Sequence, residues 1–194
     1  MTKLDLKKIE DCFTILMEKG MGLDLSNPNL SGTPARIARM YNELFQGLHE
    51  LPKVMATFPN DKKYDEIVMI DNIHFVSVCS HHFLPFTGKA WIAYIPEQIL
   101  LGASKASRII DHYSKRPQLQ EGLCEDITNY LQELLNPKGV AVVLRGIHGC
   151  MACRGVKQYD NSGMITSSLR GVFKKETRVK NEVFDLINLS TKRL

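Results

Sequence analysis

The chain has 194 residues, 44% of them hydrophobic and 24% charged, with a formal net charge of +4. That is enough for one domain with a proper core and a small helical appendage, in an ordinary globular composition. The mild positive charge suits an anionic substrate, while the absence of any long Lys/Arg run or of an apolar run near roughly 20 residues argues against nucleic-acid binding as the main task and against a membrane span.

The opening residues, Met1 to Asp11, carry charges where a signal peptide needs an apolar core, so a cytoplasmic protein with reduced thiols is expected. Leu4, Ile9, Phe13, Leu16 and Met17 fall near helical spacing over residues 4–19, and Gly20 is the expected stop. Residues 27–32 read as a loop. Thr33-Pro34 then reads as an N-cap followed by proline at the first helical position. The helix they open places Ile37, Met40, Tyr41, Leu44 and Phe45 on one face. Residues 1–60 are expected to form an N-terminal helical arm, and residues 61–194 the main domain.

From residue 66 the texture changes to alternating, Ile- and Val-rich sequence, predicting a strand over 66–78 and a second over 87–95. Residues 104–113 and 119–135 read as helices separated by Arg116-Pro117. Strands are expected over 140–147 and 165–173, with a closing helix over 176–187. The order ββααββ after two helices predicts an α+β fold, an antiparallel sheet backed by helices.

The chemistry concentrates at Cys79-Ser80-His81-His82 and at His148-Gly149-Cys150. Cys79, His82 and Cys150 are donors of the kind zinc prefers, and three protein ligands leave a fourth position for water, as in a catalytic site. Histidines left over beside such a site are suited to moving protons. Cys79, His82, Cys150 and Cys153 would instead make a closed structural site, and the spacing alone leaves both readings open. Five cysteines, an odd number clustered near histidines, fit metal chemistry better than a disulfide framework. Cys12 and Cys124 sit in helical patterns as small core residues, and His74 and His112 are assigned to structure.

Ser104-Lys105-Ala106-Ser107-Arg108 opens a predicted helix, and its cations one turn apart can hold phosphate oxygens together with the backbone N–H groups. Arg154 follows the second Cys/His cluster. No P-loop pattern occurs, so a nucleotide would be held by other means. Gln120-Glu121 starts a predicted helix, where a carboxylate suits the helix dipole and is also a partner for the N1–H and N2 amino group of guanine.

Six blocks in order resemble the zinc-dependent GTP cyclohydrolase I family: residues 33–41 (TPARIARMY), 79–89 (CSHHFLPFTGK), 102–105 (GASK), 116–121 (RPQLQE), 148–155 (HGCMACRG) and 165–173 (ITSSLRGVF). The resemblance implies a tunnelling fold, ββααββ with helices on one face, assembled as a decamer of two pentamers. It implies conversion of GTP and water to 7,8-dihydroneopterin triphosphate and formate, the first step of pterin and tetrahydrofolate biosynthesis. Carried over by position, zinc would be held by Cys79, His82 and Cys150, with His81 and His148 as proton-transfer residues. Lys105, Arg108 and Arg154 would hold the triphosphate, with Arg36 reaching in from a neighbouring subunit. Ser104 and Gln120 would contact the ribose or purine, Ser104 also assisting the ribose rearrangement, and Glu121 would anchor the guanine edge. The sequence departs from the family at Ser80, usually acidic, at Gly149, usually bulkier, and at Cys153, usually a residue that ligates nothing.

Overall fold

Along the strand Val68–Cys79 (β2), residues 73, 75 and 77 are buried and 74 and 76 exposed. That period-two pattern lets one face of the strand build a core. The computed structural model describes residues 3–49, 56–158 and 162–191, which belong to two units, residues 1–51 and 52–194.

In the second unit β2 forms a hairpin with Pro85–Ile95 (β3), which pairs antiparallel with Gly139–His148 (β6), itself paired with Met164–Gly171 (β7). A two-residue strand, Pro117–Gln118 (β5), lies parallel to the end of β2, giving the order β5-β2-β3-β6-β7. Thr57–Pro59 (β1) pairs with Ile99–Leu101 (β4) in a separate small sheet. Residues 57–59, counted with the helical arm in the sequence reading, therefore lie in the second unit.

The helices Ala103–Ser114 (α3) and Gln120–Leu135 (α4) cover one face of the large sheet. Ile109, Ile110, Leu123, Ile127 and Leu131 meet Phe86, Ile92, Tyr94, Val142 and Leu144 there, all at most 1% exposed. Each such aliphatic side chain contributes about 1.5–3 kcal/mol by leaving water. α4 ends at Asn136, whose φ of 42° is the left-handed conformation of a helix C-terminus.

Alternate residues of β3 point the other way. Trp91, Ala93 and Ile95, with Ala141 and Val143, pack against Phe173 of Val172–Lys175 (α6) and against Val183 and Ile187 of Thr177–Thr191 (α7). The Trp91 indole N–H donates to Ser190 Oγ at 2.9 Å. Helices on one face describe α3 and α4; the closing helix adds cover on the opposite face. The expected strand over 165–173 stops at Gly171, whose φ of 61° turns the chain into α6. A Cβ there would lie 2.1 Å from the Lys138 carbonyl oxygen, so the turn requires glycine.

In the first unit Leu6–Ile15 (α1), continued by a π-helical turn at Leu16–Gly20, packs on Thr33–Leu44 (α2). The Asp5 carboxylate caps α1 by accepting from the Lys8 N–H. Phe13 meets Tyr41 edge-on and Tyr41 meets Phe45 at a tilt, with ring centroids 5.6 and 5.0 Å apart. Thr33 is the first residue of α2 rather than its cap. Gly32 takes the cap position without a side-chain bond, a one-residue shift of the kind helix ends show.

Candidate active site

Cys79 closes β2 and is held on three sides. Its N–H donates to Leu84 O at 2.9 Å, its carbonyl accepts from the Phe83 N–H at 2.9 Å, and β5 lies alongside with Cys79 opposite Gln118. The Ser80 N–H donates to Gln118 O at 3.2 Å. The turn that results puts Phe83 at a φ of 53°, an uncommon conformation for a bulky residue, and leaves Ser80, His81, His82 and Phe83 exposed.

Register brings the second cluster to the same place. Val78 pairs with Pro85, and Phe86 pairs with His148, so the end of β6 lies across β3 from the end of β2. The chain then enters a short helix, Gly149–Ala152 (α5), carrying Cys150. Ligand atoms of Cys79, His148 and Cys150 all lie within 4.8 Å of one another. Cys79 is 4% exposed and His148 8%, so both are buried, while Cys150 is half-buried.

This donor set fits a soft or borderline cation. Burial pushes the Cys150 thiol up, and the neighbouring Cys79 pushes it further while sharing a hydrogen bond with it; Arg154 pulls weakly in the opposite direction. A bound cation of zinc type would offset that rise by favouring the Cys150 thiolate. The expected set differs in its third member. Among the described residues His82 lies outside the cluster, exposed on the turn with its ring 6.4 Å from His81 and at 86° to it. Cys153 also lies outside it, exposed, with its thiol donating to Gly149 O at 2.9 Å.

His148 is fixed by its surroundings. Its ring stacks on Phe86 with centroids 4.5 Å apart and planes 1° from parallel. Its Nε2 lies 3.0 Å from Gln120 Oε1. Burial pulls its pKa below the usual imidazole range, and the carboxylate of Glu121 opposes that shift. Glu121, exposed on the first turn of α4, therefore belongs to the same neighbourhood. Gln120, expected at the ribose or purine, is 0% exposed and its amide is wholly engaged with the protein.

At the start of α3, Gly102 is extended and its carbonyl accepts from the Lys105 N–H at 2.8 Å. Ser104 and Arg108 are exposed and Lys105 half-buried, so this helix start offers charge and hydroxyl to solvent. Arg154 is exposed just beyond α5. Arg36 is exposed on α2 of the first unit, its guanidinium lying over Gly32. Two site features escaped the sequence reading. Phe86 reads as an ordinary core aromatic, and only its register opposite His148 makes it a stacking partner. Gln118 reads as a linker residue because a two-residue strand carries no periodicity.

The Gly149 departure has a local consequence. A Cβ at this position would lie 2.8 Å from the Pro85 carbonyl oxygen, a backbone atom. Glycine here lets α5 sit directly on the start of β3.

Comparison with known proteins agrees with this arrangement along the chain. The GTP cyclohydrolase 1 of Caldanaerobacter subterraneus subsp. tengcongensis is 43% identical over 95% of this chain and 98% of its own length. That of Rhodopirellula baltica is 41% identical over 96% of this chain and 80% of its own, and that of Pelotomaculum thermopropionicum 42% identical over 94% and 97%. Among the described residues no helix is long and apolar enough to cross a membrane. A sequence model described as GTP cyclohydrolase I matches residues 9–188, and the chain belongs to that family of hydrolases.

Proposed function

We propose that this chain opens the imidazole ring of GTP by hydrolysis, giving 7,8-dihydroneopterin triphosphate and formate, at a zinc centre built on Cys79 and Cys150. The observation that carries the reading is the convergence of those two thiols with His148 at the joined ends of β2 and β6. Bound zinc supplies a water acidic enough to act as nucleophile near neutral pH.

The residues of the chain do the rest. His148 moves the proton that makes the purine C8 electrophilic. Glu121 accepts from guanine N1–H and the N2 amino group. Lys105, Arg108 and Arg154 hold the triphosphate, whose phosphoryl bonds stay intact, so their contribution is positioning. His81 and Ser104 serve the later proton shuttling during opening and rearrangement of the ribose. Arg36 enters from a neighbouring subunit of a decamer, and the protein works in the cytoplasm.

His82 is our third zinc ligand. It stands three residues after Cys79 on an exposed turn, whereas His148 is held by its stack and hydrogen bond. The proximity of His148 to both thiols favours a second reading, with His148 as ligand. Incubation with GTP, following formate and the pterin chromophore, tests the reaction. Zinc content of His82→Ala and His148→Ala separates the two ligand sets: the proposal expects loss in the first and retention in the second.

A further inference from the structure

Gln120 is fully buried, at 0% exposure, and its side chain meets His148. Its amide nitrogen is 3.0 Å from Met164 O, 3.1 Å from Thr166 Oγ1 and 3.3 Å from Leu144 O. Two of those partners are backbone carbonyls, which can only accept, so the NH2 group must face them. The amide is thereby locked in one orientation, with Oε1 turned to His148 Nε2 at 3.0 Å. Room for this arrangement comes from Gly146, where a Cβ would lie 2.4 Å from Oε1.

An amide oxygen cannot donate. If His148 Nε2 carried a lone pair, two acceptors would face each other between two buried side chains, an unfavourable contact. We propose that Gln120 is a positioning residue that holds neutral His148 as the Nε2–H tautomer, so that Nδ1 is the nitrogen that exchanges protons or meets a metal. The inference rests on the reading of His148 as a working residue of this site, and it assigns Gln120 to the imidazole rather than to the nucleotide. Stacking on Phe86 fixes the ring plane, and the Gln120 bond fixes which edge faces inward.

Nitrogen-15 NMR of histidine-labelled protein tests this directly, in metal-free and zinc-loaded samples, with the His148 signals assigned by difference from His148→Gln. The expected result is a pyrrole-like Nε2 with its proton in both samples. Gln120→Met, which keeps the volume and removes the acceptor, should give a mixture of tautomers and lower kcat roughly 10- to 100-fold with KM little changed. Thr166→Val, which leaves the Oε1 contact in place, should keep the wild-type spectrum. A wild-type His148 protonated on Nδ1 alone, or a Gln120→Met spectrum identical to wild type, would overturn the proposal. So would a rise in KM with unchanged kcat, which marks a substrate contact. If Gln120→Met does not fold, the wild-type spectrum alone decides. The spectrum is recorded without GTP, so failure of the ring-opening reading would leave the tautomer result standing, and the reverse holds equally.

Discussion

The two histidine-bearing regions that adjoin Cys79 and Cys150 are built in opposite ways. His148 sits at the end of a central strand, 8% exposed, stacked on Phe86 and bonded to Gln120. His81 and His82 sit on an exposed turn, their backbone held through Cys79, Ser80 and Phe83. The first imidazole is held by packing and a hydrogen bond; the other two are exposed to solvent. The contrast suits a centre in which one imidazole keeps a fixed direction for proton transfer and others adjust to metal and substrate.

The largest effect should come from the cysteines that these regions adjoin. Cys150→Ala, like Cys79→Ala, should abolish zinc binding and turnover together, measured by metal analysis and formate release, while Cys153→Ala keeps both. Loss of metal from Cys153→Ala with retention in Cys150→Ala would move the centre to a different set of sulfurs.

Next come the histidines themselves. His148→Ala should lower kcat by roughly 10²–10⁴ with zinc retained. His82→Ala should lose zinc. Equal zinc loss in both would erase the distinction between the held imidazole and the exposed one.

In the proposed reading Glu121 contacts the guanine edge. Glu121→Gln should bind zinc normally yet lose most GTP turnover, because the amide replaces an acceptor pair facing two guanine donors by one acceptor and one donor. Unchanged kinetics in this variant would return Glu121 to a helix-start acid.

Gly149→Ala probes the joint at α5. The added methyl meets the Pro85 carbonyl and must displace backbone, at an expected cost of about 1–3 kcal/mol in stability, visible as a lowered Tm. Unchanged Tm would mean that α5 moves freely off β3.

The smallest effect concerns the tie between α4, which carries Gln120 and Glu121, and β7. Ser168 donates to Glu125 and Arg170 pairs with the same carboxylate, and these hold the Glu125 carboxyl below its usual range, the Ser168 bond contributing most. A depressed folded-state pKa stabilises above the unfolded value, about 4.3, and the contribution fades as pH falls through the folded value. The pair is half exposed, so Glu125→Gln should cost at most about 1 kcal/mol at neutral pH. The gap from wild type in thermal melts should close on acidification below about pH 4.3. A gap that widens there would reverse the sign of this account.

Much of the fold was legible in local pattern. Period-two alternation located β2, β3 and β6 to within two residues, and helical spacing located α3 and α4 to within one. β1, β4 and β5 were not legible, because strands of two or three residues carry too little periodicity to register. The end of β7 was missed for a different reason: 165–173 is uniformly strand-like, and only the positive φ of Gly171 breaks it.

For the site, the sequence alone determined the inventory: soft donors and histidines in two clusters, a cationic helix start, and a Gln-Glu pair at the head of α4. Residue chemistry and short spacing suffice for that. The tertiary structure decided who meets whom. Alternation says which face a side chain takes, while strand register, set by pairing between residues far apart in sequence, says which neighbour it finds. That register put His148 on Phe86 and beside the thiols. The same non-local packing turned Gln120 inward and Glu121 outward, since consecutive residues of a helix face about 100° apart and only the sheet beneath α4 selects which of them is buried.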